Sequence, residues 1–248
     1  MHAQIILVCP AAKCAEAART GLPVLRLGLG LGANGTLVRA IAQTRRPGDF
    51  LGLSDFGVSA PVSPAVVRQL VEEARGAGGI VADLERATPV LDDFLTALDG
   101  ACATAKLPLF VPARRIASAP HAWAVAPGAA SGGSLREELA RGMRARHGRL
   151  AVTFEPTCRR FLLPAADPEG EELTAEELAA LRARTNAQVF FSRELCARYF
   201  TYMDGGQGAF VLFDDADTLR ARLSLLDESG APYIFAAWEG CEDLFSRL

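Results

Sequence analysis

Short apolar segments alternate with helical segments along the whole chain. Eight principal strands are predicted at residues 5–8, 24–27, 50–53, 79–85, 107–111, 150–154, 187–191 and 232–237. Helices are predicted at residues 11–19, 37–42 and 217–228 and after the capping sequences at residues 63, 88, 134 and 174, with a loop at 113–133. Because the strands are too apolar for a sheet with one wet face, the pattern indicates a parallel sheet covered by helices.

The number of units predicts how this sheet is closed. Eight strand–helix units in 248 residues match the size of a closed barrel. We therefore predict an α/β fold in which residues 1–248 form a single-domain (β/α)8 TIM barrel. No linker, repeat or low-complexity segment divides the chain.

Charge and composition narrow the range of partners. The chain has a formal net charge of −3 and only short arginine clusters, so nucleic acid is not an expected partner. The apolar run at residues 5–8 is too short for a signal peptide or a membrane span. These features predict a soluble, cytoplasmic protein with no membrane partner, and they leave its oligomeric state open.

Histidine and cysteine usage limits the available chemistry. Three histidines supply neither a Ser-His-Asp triad nor a multi-histidine metal site, and the six cysteines contain no C-x-x-C pair. We interpret the cysteines as buried free thiols and expect no metal. Any catalysis is then expected to depend on carboxylates.

A glycine-rich segment, GLGLGANG at residues 28–35, follows a strand and precedes a predicted helix. In that context glycines let backbone amides approach the pyrophosphate of a dinucleotide. Against this, the segment lies in the second unit, and no acidic residue clearly ends the next strand. A glycine-rich barrel loop is the preferred interpretation, with cofactor binding as the alternative.

Two carboxylates lie near the end of the fourth predicted strand, GGIVADLE at residues 78–85. Alternation along a strand places Val81, Asp83 and Glu85 on one face, and the apolar side chains at 80, 82 and 84 on the other. If the apolar set packs under the helices, the carboxylates point into the barrel near its C-terminal mouth, where barrel enzymes hold their catalytic groups. Inward carboxylates are costly unless used or paired. The alternative is that Glu85 caps the next helix or pairs with Arg86.

The C-terminal part contains a third group of candidates. Asp214 and Asp215 end an apolar run, and Trp238 follows the last predicted strand. An indole at a barrel mouth offers a flat apolar face on which a sugar ring can lie. The alternative is an aromatic side chain in the core or rim.

Together these segments resemble glycoside hydrolase family 18, the chitinase-like group that includes short bacterial and spore-associated members. The family's fourth-strand motif, D-x-x-D-x-D-x-E, is matched at its last two acidic positions by residues 78–85. Its S-x-G-G motif after the third strand resembles SDFG at 54–57, and its sixth-strand M-x-Y-D corresponds to VTFE at 152–155. Its Y-D-D segment and terminal tryptophan are matched by FDD at 213–215 and Trp238.

The resemblance implies a diverged glycosidase that acts on an N-acetylglucosamine-containing glycan such as peptidoglycan. Glu85 would be the general acid, while the acetamido carbonyl of the substrate attacks the anomeric carbon. Asp83 would orient the acetamido group and stabilise the oxazolinium, and Trp238 would form the floor of the sugar site. The remaining substrate-binding residues implied by the motifs are Ser54, Asp55, Phe154 and Glu155. No cofactor is implied, and a spore-associated location stays open beside the cytoplasm.

The departures from the family motifs leave two other functions open. Gly78 and Val81 stand where the family has acidic residues, and Phe154 lacks the hydroxyl of the family tyrosine. The changes at Val81 and Phe154 each imply a loss of transition-state stabilisation. A catalytically silent carbohydrate-binding barrel is therefore one alternative, and a nucleotide-cofactor-dependent enzyme that uses residues 28–35 is the other.

Overall fold

Parallel strands alternate with helices in the computed structural model, which describes residues 3–39, 45–84, 86–130, 132–165, 167 and 169–246. The strands are β1 (Gln4–Val8), β2 (Val24–Gly32), β3 (Leu37–Arg39), β4 (Phe50–Phe56), β5 (Ile80–Asp83), β6 (Leu109–Pro112), β7 (Trp123–Ala126), β8 (Leu150–Phe154), β9 (Cys158–Leu163), β10 (Glu171–Glu172), β11 (Phe190–Ser192), β12 (Ala197–Asp204), β13 (Gln207–Phe213) and β14 (Tyr233–Ala237). The α-helices are α1 (Cys14–Ala17), α2 (Pro64–Glu73), α3 (Pro89–Ala105), α4 (Leu135–Ala145), α5 (Ala175–Thr185), α6 (Ala216–Glu228) and α7 (Glu242–Phe245). Short 3-10 helices cover Ala11–Lys13, Ala18–Thr20 and Ala113–Ser118.

Eight parallel strands close into a barrel. Their order around it is β1, β14, β8, β7, β6, β5, β4 and β2, and pairing of β2 with β1 completes the circle. Strand β3 pairs in antiparallel orientation with residues 29–31, in the C-terminal half of β2. The predicted (β/α)8 TIM barrel is confirmed.

Alternate side chains of the barrel strands point either into the barrel or outward toward the helices. The inner core contains Phe50, Phe110 and Phe235, whose rings contact each other edge to face. Trp123 and Tyr233, at the N-terminal ends of β7 and β14, pack against these rings. The outer cores lie between the strands and the helices. The inner rings therefore fill the lower part of the barrel, and the side chains above them line its C-terminal mouth.

Two of the predicted assignments along the chain are wrong. Residues 113–133, predicted as a loop, contain the sixth barrel strand, β7. Residues 187–191, predicted as the seventh barrel strand, instead contribute β11 to a second sheet. Strand β8 is consequently the seventh strand of the barrel rather than the sixth.

The second sheet is antiparallel and lies between β8 and β14 in the chain. Its strand order is β10, β9, β13, β12 and β11, and helix α5 packs on one face. The other face carries a row of aromatic rings from Phe161 through Phe210 and Tyr199 to Phe190. Ala130, in the segment between β7 and α4, packs on this second face. The sheet therefore stands beside the C-terminal mouth of the barrel.

The predicted helix starts agree with the structure. Ser63 and Thr88 cap α2 and α3, and each is followed by proline at the first helical position. Thr174 forms a complete capping box with Glu177, whereas among the described residues Ser134 makes only the bond from the Glu137 amide. In the described part of the chain, no helix combines the length and hydropathy that a membrane crossing requires.

Candidate active site

Strand β5 places Asp83 at the mouth of the barrel. Val81 packs in the inner core, whereas the side chains at 80, 82 and 84 pack in the outer core under α2 and α3. Asp83 shares the inward face with Val81 and is the last residue of the strand, with an exposed side chain. The structure therefore agrees with the alternation predicted for this strand.

Asp83 has one predicted site residue beside it on the neighbouring strand. Ser54 of β4 is its register partner and also faces inward, above Phe50 and Gly52. Within the described ranges, no hydrogen bond or ion pair reaches the carboxylate of Asp83. Glu85, the predicted general acid, lies outside the described residues. An exposed carboxylate and a hydroxyl-bearing side chain thus occupy adjacent positions at the mouth.

The carboxylate of Asp55 is engaged by the protein itself. It accepts hydrogen bonds from the amides of Gly57 and Val58 at 2.9 Å, and from the Arg86 guanidinium at 2.5 and 2.8 Å. The side chain of Asp55 is only 5% exposed. The bonded Arg86 guanidinium is the main reason that the pKa of Asp55 lies below its ordinary value, with the two amides adding to the effect. Asp55 therefore anchors the loop after β4 and does not offer a free carboxylate to a ligand.

The VTFE segment divides between two environments. Phe154 faces the outer core with Val152, has no exposed surface and contacts the ring of Phe245. The predicted role of Phe154 in substrate binding is wrong, because strand alternation directs it away from the barrel interior. Glu155 follows it with an exposed side chain, in a cavity of about 330 Å³ between the barrel and the second sheet.

Trp238 is also in the outer core. It continues the outward alternation of Ile234 and Ala236 along β14, and it is 2% exposed. The predicted role of Trp238 as the floor of a sugar site is wrong, since its indole is enclosed by the helical layer. Its position at the end of the strand was predicted correctly, but its face was not.

Asp214 and Asp215 form bonds within the protein that stabilise the fold. Asp214 pairs with Arg222 at 2.9 Å, and both side chains are 1% exposed. Arg222 also bonds the Glu155 carbonyl and lies over the ring of Phe154, with its guanidinium carbon 5.2 Å from the centroid. Asp215 caps α6. This buried pair therefore locks the end of β8 to α6.

The glycine-rich segment forms a strand and a hairpin. Residues 28–32 continue β2, and a turn at Gly35 leads directly into β3. The predicted helix at 37–42 is wrong for residues 37–39, and residues 40–44 lie outside the described part. The strand–turn–helix arrangement that a dinucleotide requires is thus not formed by residues 28–39. This removes the basis of the cofactor-dependent alternative.

The cysteines are free thiols, and most of them are buried. All six cysteines are free and five are buried, as the sequence predicted. Burial raises the pKa of Cys102 and Cys241 to about 12, which leaves them as neutral thiols. Among the described residues, no group of three or more His, Cys, Asp or Glu side chains could hold a metal ion.

Solved structures with the same architecture include chitinases and a spore cortex-lytic enzyme. The chitinase from Chromobacterium violaceum ATCC 12472 matches with a TM-score of 0.64 and 16% identity over 95% of this chain and 94% of its own. The cortex-lytic enzyme SleL of Bacillus cereus matches with a TM-score of 0.60 and 14% identity over 96% and 70%. A mutant class V chitinase from Nicotiana tobaccum, in complex with NAG4, matches with a TM-score of 0.61 and 12% identity over 100% and 97%. The chain has a chitinase-like barrel fold.

Sequence comparison adds no family to this fold. No protein-family model matches the chain, and no curated protein does. Two features of this chitinase-like barrel were not predicted from the sequence: the exposed Phe56 at the end of β4 and the ion pair between Asp55 and Arg86. The alternation along β4 places Phe56 on the same inward face as Ser54, so this signal was present in the sequence.

Proposed function

We propose that the protein is a glycoside hydrolase that acts on an N-acetylglucosamine-containing glycan at the mouth beside β4 and β5. The observation that carries this proposal is the position of Asp83: inward-facing, exposed, and unpaired among the described residues, two positions before Glu85. A carboxylate that stabilised the fold would be expected to have a partner, as Asp55 and Asp214 do. The likeness to chitinases and SleL supports the class of substrate.

Glu85 is the general acid of the proposed reaction. It donates its proton to the glycosidic oxygen as the bond from that oxygen to the anomeric carbon breaks. The acetamido carbonyl oxygen of the same sugar bonds to the anomeric carbon and forms a cyclic oxazolinium. Water then attacks the anomeric carbon, the ring reopens, and Glu85 takes a proton from the water.

Asp83 assists both steps. Its negative charge stabilises the positive oxazolinium and orients the acetamido group for attack. Ser54 lies on β4, next to Asp83 of β5, and its hydroxyl can bind the sugar.

A catalytically silent carbohydrate-binding barrel is the second candidate. The observation that favours it is Val81, which packs in the inner core with Phe50 and Phe110. The position below Asp83 therefore carries no carboxylate. In this case the same mouth binds the glycan but does not cleave it.

The test is release of a chromogenic group from N-acetylglucosamine oligomers by the parent protein and the Glu85→Gln variant. The variant keeps the size of the side chain but has no proton to donate. Turnover by the parent that falls at least about a hundredfold in the variant supports the hydrolase. Binding of the oligomer without turnover in either protein supports the silent barrel. No binding and no turnover would contradict both.

A further inference from the structure

Three exposed apolar side chains lie on adjacent strands at one side of the barrel. Leu27 and Val38 are each 39% exposed, and Phe56 is 51% exposed. They belong to β2, β3 and β4, which are adjacent strands. We refer to Leu27, Val38 and Phe56 as the apolar shelf. Exposed apolar side chains that cluster in this way commonly mark a binding surface.

The ring of Phe56 lies directly on the backbone of Gly30. A Cβ atom added to Gly30 would lie 2.1 Å from the ring, which is far inside van der Waals contact. Leu29 and Leu31 pack in the outer core, so the open side of Gly30 faces the barrel interior. The missing side chain at Gly30 is therefore what allows the ring to lie against β2.

A second glycine in the pair of strands β2 and β4 is covered in the same way, closer to the N-terminal ends of these strands. A Cβ atom added to Gly52 would lie 2.5 Å from a methyl group of Leu27. Two glycines on neighbouring strands are thus each covered by a large apolar side chain from the other strand. The glycine-rich segment, which forms no phosphate-binding turn, instead makes room for the apolar shelf.

The apolar shelf adjoins the carboxylate of the proposed site. Ser54 is the register partner of Asp83, and Phe56 is two residues further along the same inward face. Residues two apart on a strand are separated by about 7 Å. A glycan bound at Asp83 can therefore extend along this inward face to the exposed ring of Phe56.

We propose that Phe56, supported by Gly30, is the aromatic platform that binds the apolar face of a sugar ring in this protein. The inference rests on the proposed function and assigns the platform that Trp238 does not provide. Sugar rings present C–H groups on one face, and an aromatic ring with a fixed orientation packs against them. A ring already held by the backbone loses little conformational freedom when the sugar binds.

Binding of the N-acetylglucosamine tetramer tests the platform. All titrations use the Glu85→Gln background, so that the ligand is not consumed. Phe56→Ala is expected to weaken binding about threefold to tenfold, while Phe56→Tyr and Phe56→Trp retain it. Met203→Ala is the matched control, because Met203 is 69% exposed on the second sheet and lies outside the proposed site.

A double-mutant cycle tests the role of the glycine. Gly30→Ala is expected to displace the ring and to weaken binding as much as Phe56→Ala does. The Gly30→Ala/Phe56→Ala double variant is expected to bind no worse than Phe56→Ala alone, because the ring is already gone. Fluorescence of Phe56→Trp is expected to shift when the tetramer is added, which reports contact at this position even if Gly30→Ala fails to fold.

The outcomes separate the two proposals. Normal binding by the Glu85→Gln protein with no effect of Phe56→Ala, or an unchanged Phe56→Trp spectrum at saturation, overturns the platform and leaves the proposed function standing. No binding of the tetramer by the Glu85→Gln protein overturns both. Concentration-dependent dimerisation that Phe56→Ala abolishes, without glycan binding, would assign the apolar shelf to a second copy of the chain.

Discussion

Carboxylates on the two sides of the barrel mouth differ in their exposure and in their protein partners. On the β4–β5 side, Asp83 is exposed and unpaired among the described residues. On the β8–α6 side, Asp214 is 1% exposed, pairs with Arg222 and accepts hydrogen bonds from Thr157 and Thr218. Position at the C-terminal end of a barrel therefore does not by itself identify a functional carboxylate. The absence of a protein partner is the more informative property.

Aromatic side chains show the same contrast. Trp238 follows a barrel strand and is 2% exposed, whereas Phe56 ends another barrel strand and is 51% exposed. The difference follows from strand alternation, because Trp238 shares the outward face of β14 and Phe56 the inward face of β4. One ring stabilises the fold, and the other is available to a ligand.

The largest expected effect comes from breaking the buried pair. Arg222→Ala leaves Asp214 buried without its ion-pair partner, which we expect to reduce the free energy of unfolding by about 3–5 kcal/mol. Urea denaturation followed by circular dichroism measures this change. Asp83→Asn is the matched control on the other side of the mouth, and it is expected to change stability by less than about 0.5 kcal/mol.

Equal losses of stability in these two variants would contradict the comparison. Such a result would mean that Asp83 has a structural partner in the folded protein. An unchanged stability of Arg222→Ala would show that the pair does not hold β8 to α6.

A smaller, pH-dependent effect is expected for Asp55. Its folded-state pKa lies below the ordinary value of 3.8, chiefly because Arg86 binds the ionised form. Its contribution to stability is therefore complete above about pH 4 and declines as the pH falls toward the folded-state pKa. Asp55→Asn is expected to cost about 1 kcal/mol at pH 7, a difference that shrinks below pH 4. Thermal unfolding from pH 2 to 7 measures it, and a difference that grows in acid would contradict this sign.

The sequence allowed most of the barrel to be predicted, and the errors have physical causes. Apolar runs such as residues 80–82 in β5 identify buried parallel strands and also their alternation, which placed Asp83 on the inward face. Strand β7 was missed because four residues among prolines and small side chains carry a weak strand signal. Residues 187–191 were assigned to the barrel because an apolar run does not distinguish a barrel strand from an edge strand of a second sheet.

The candidate site was predicted less completely than the barrel. The inward position of Asp83 was predicted from alternation, whereas Ser54 was named from the resemblance of SDFG to a family motif. The burial of Trp238 and Phe154 was not predicted, because a shift of one residue along a strand moves a side chain to the opposite face. The partner of Asp55 is Arg86, 31 positions away, and no local pattern predicts such a pair. The role of the glycines became apparent only from the side chains that cover them.

The most direct test of where the site lies is a crystal structure of the Glu85→Gln variant soaked with the N-acetylglucosamine tetramer. We predict a sugar ring at the mouth with its acetamido group within hydrogen-bond distance of Asp83 and its apolar face on Phe56. A tetramer bound elsewhere, with the mouth between β4 and β5 unoccupied, would contradict this account.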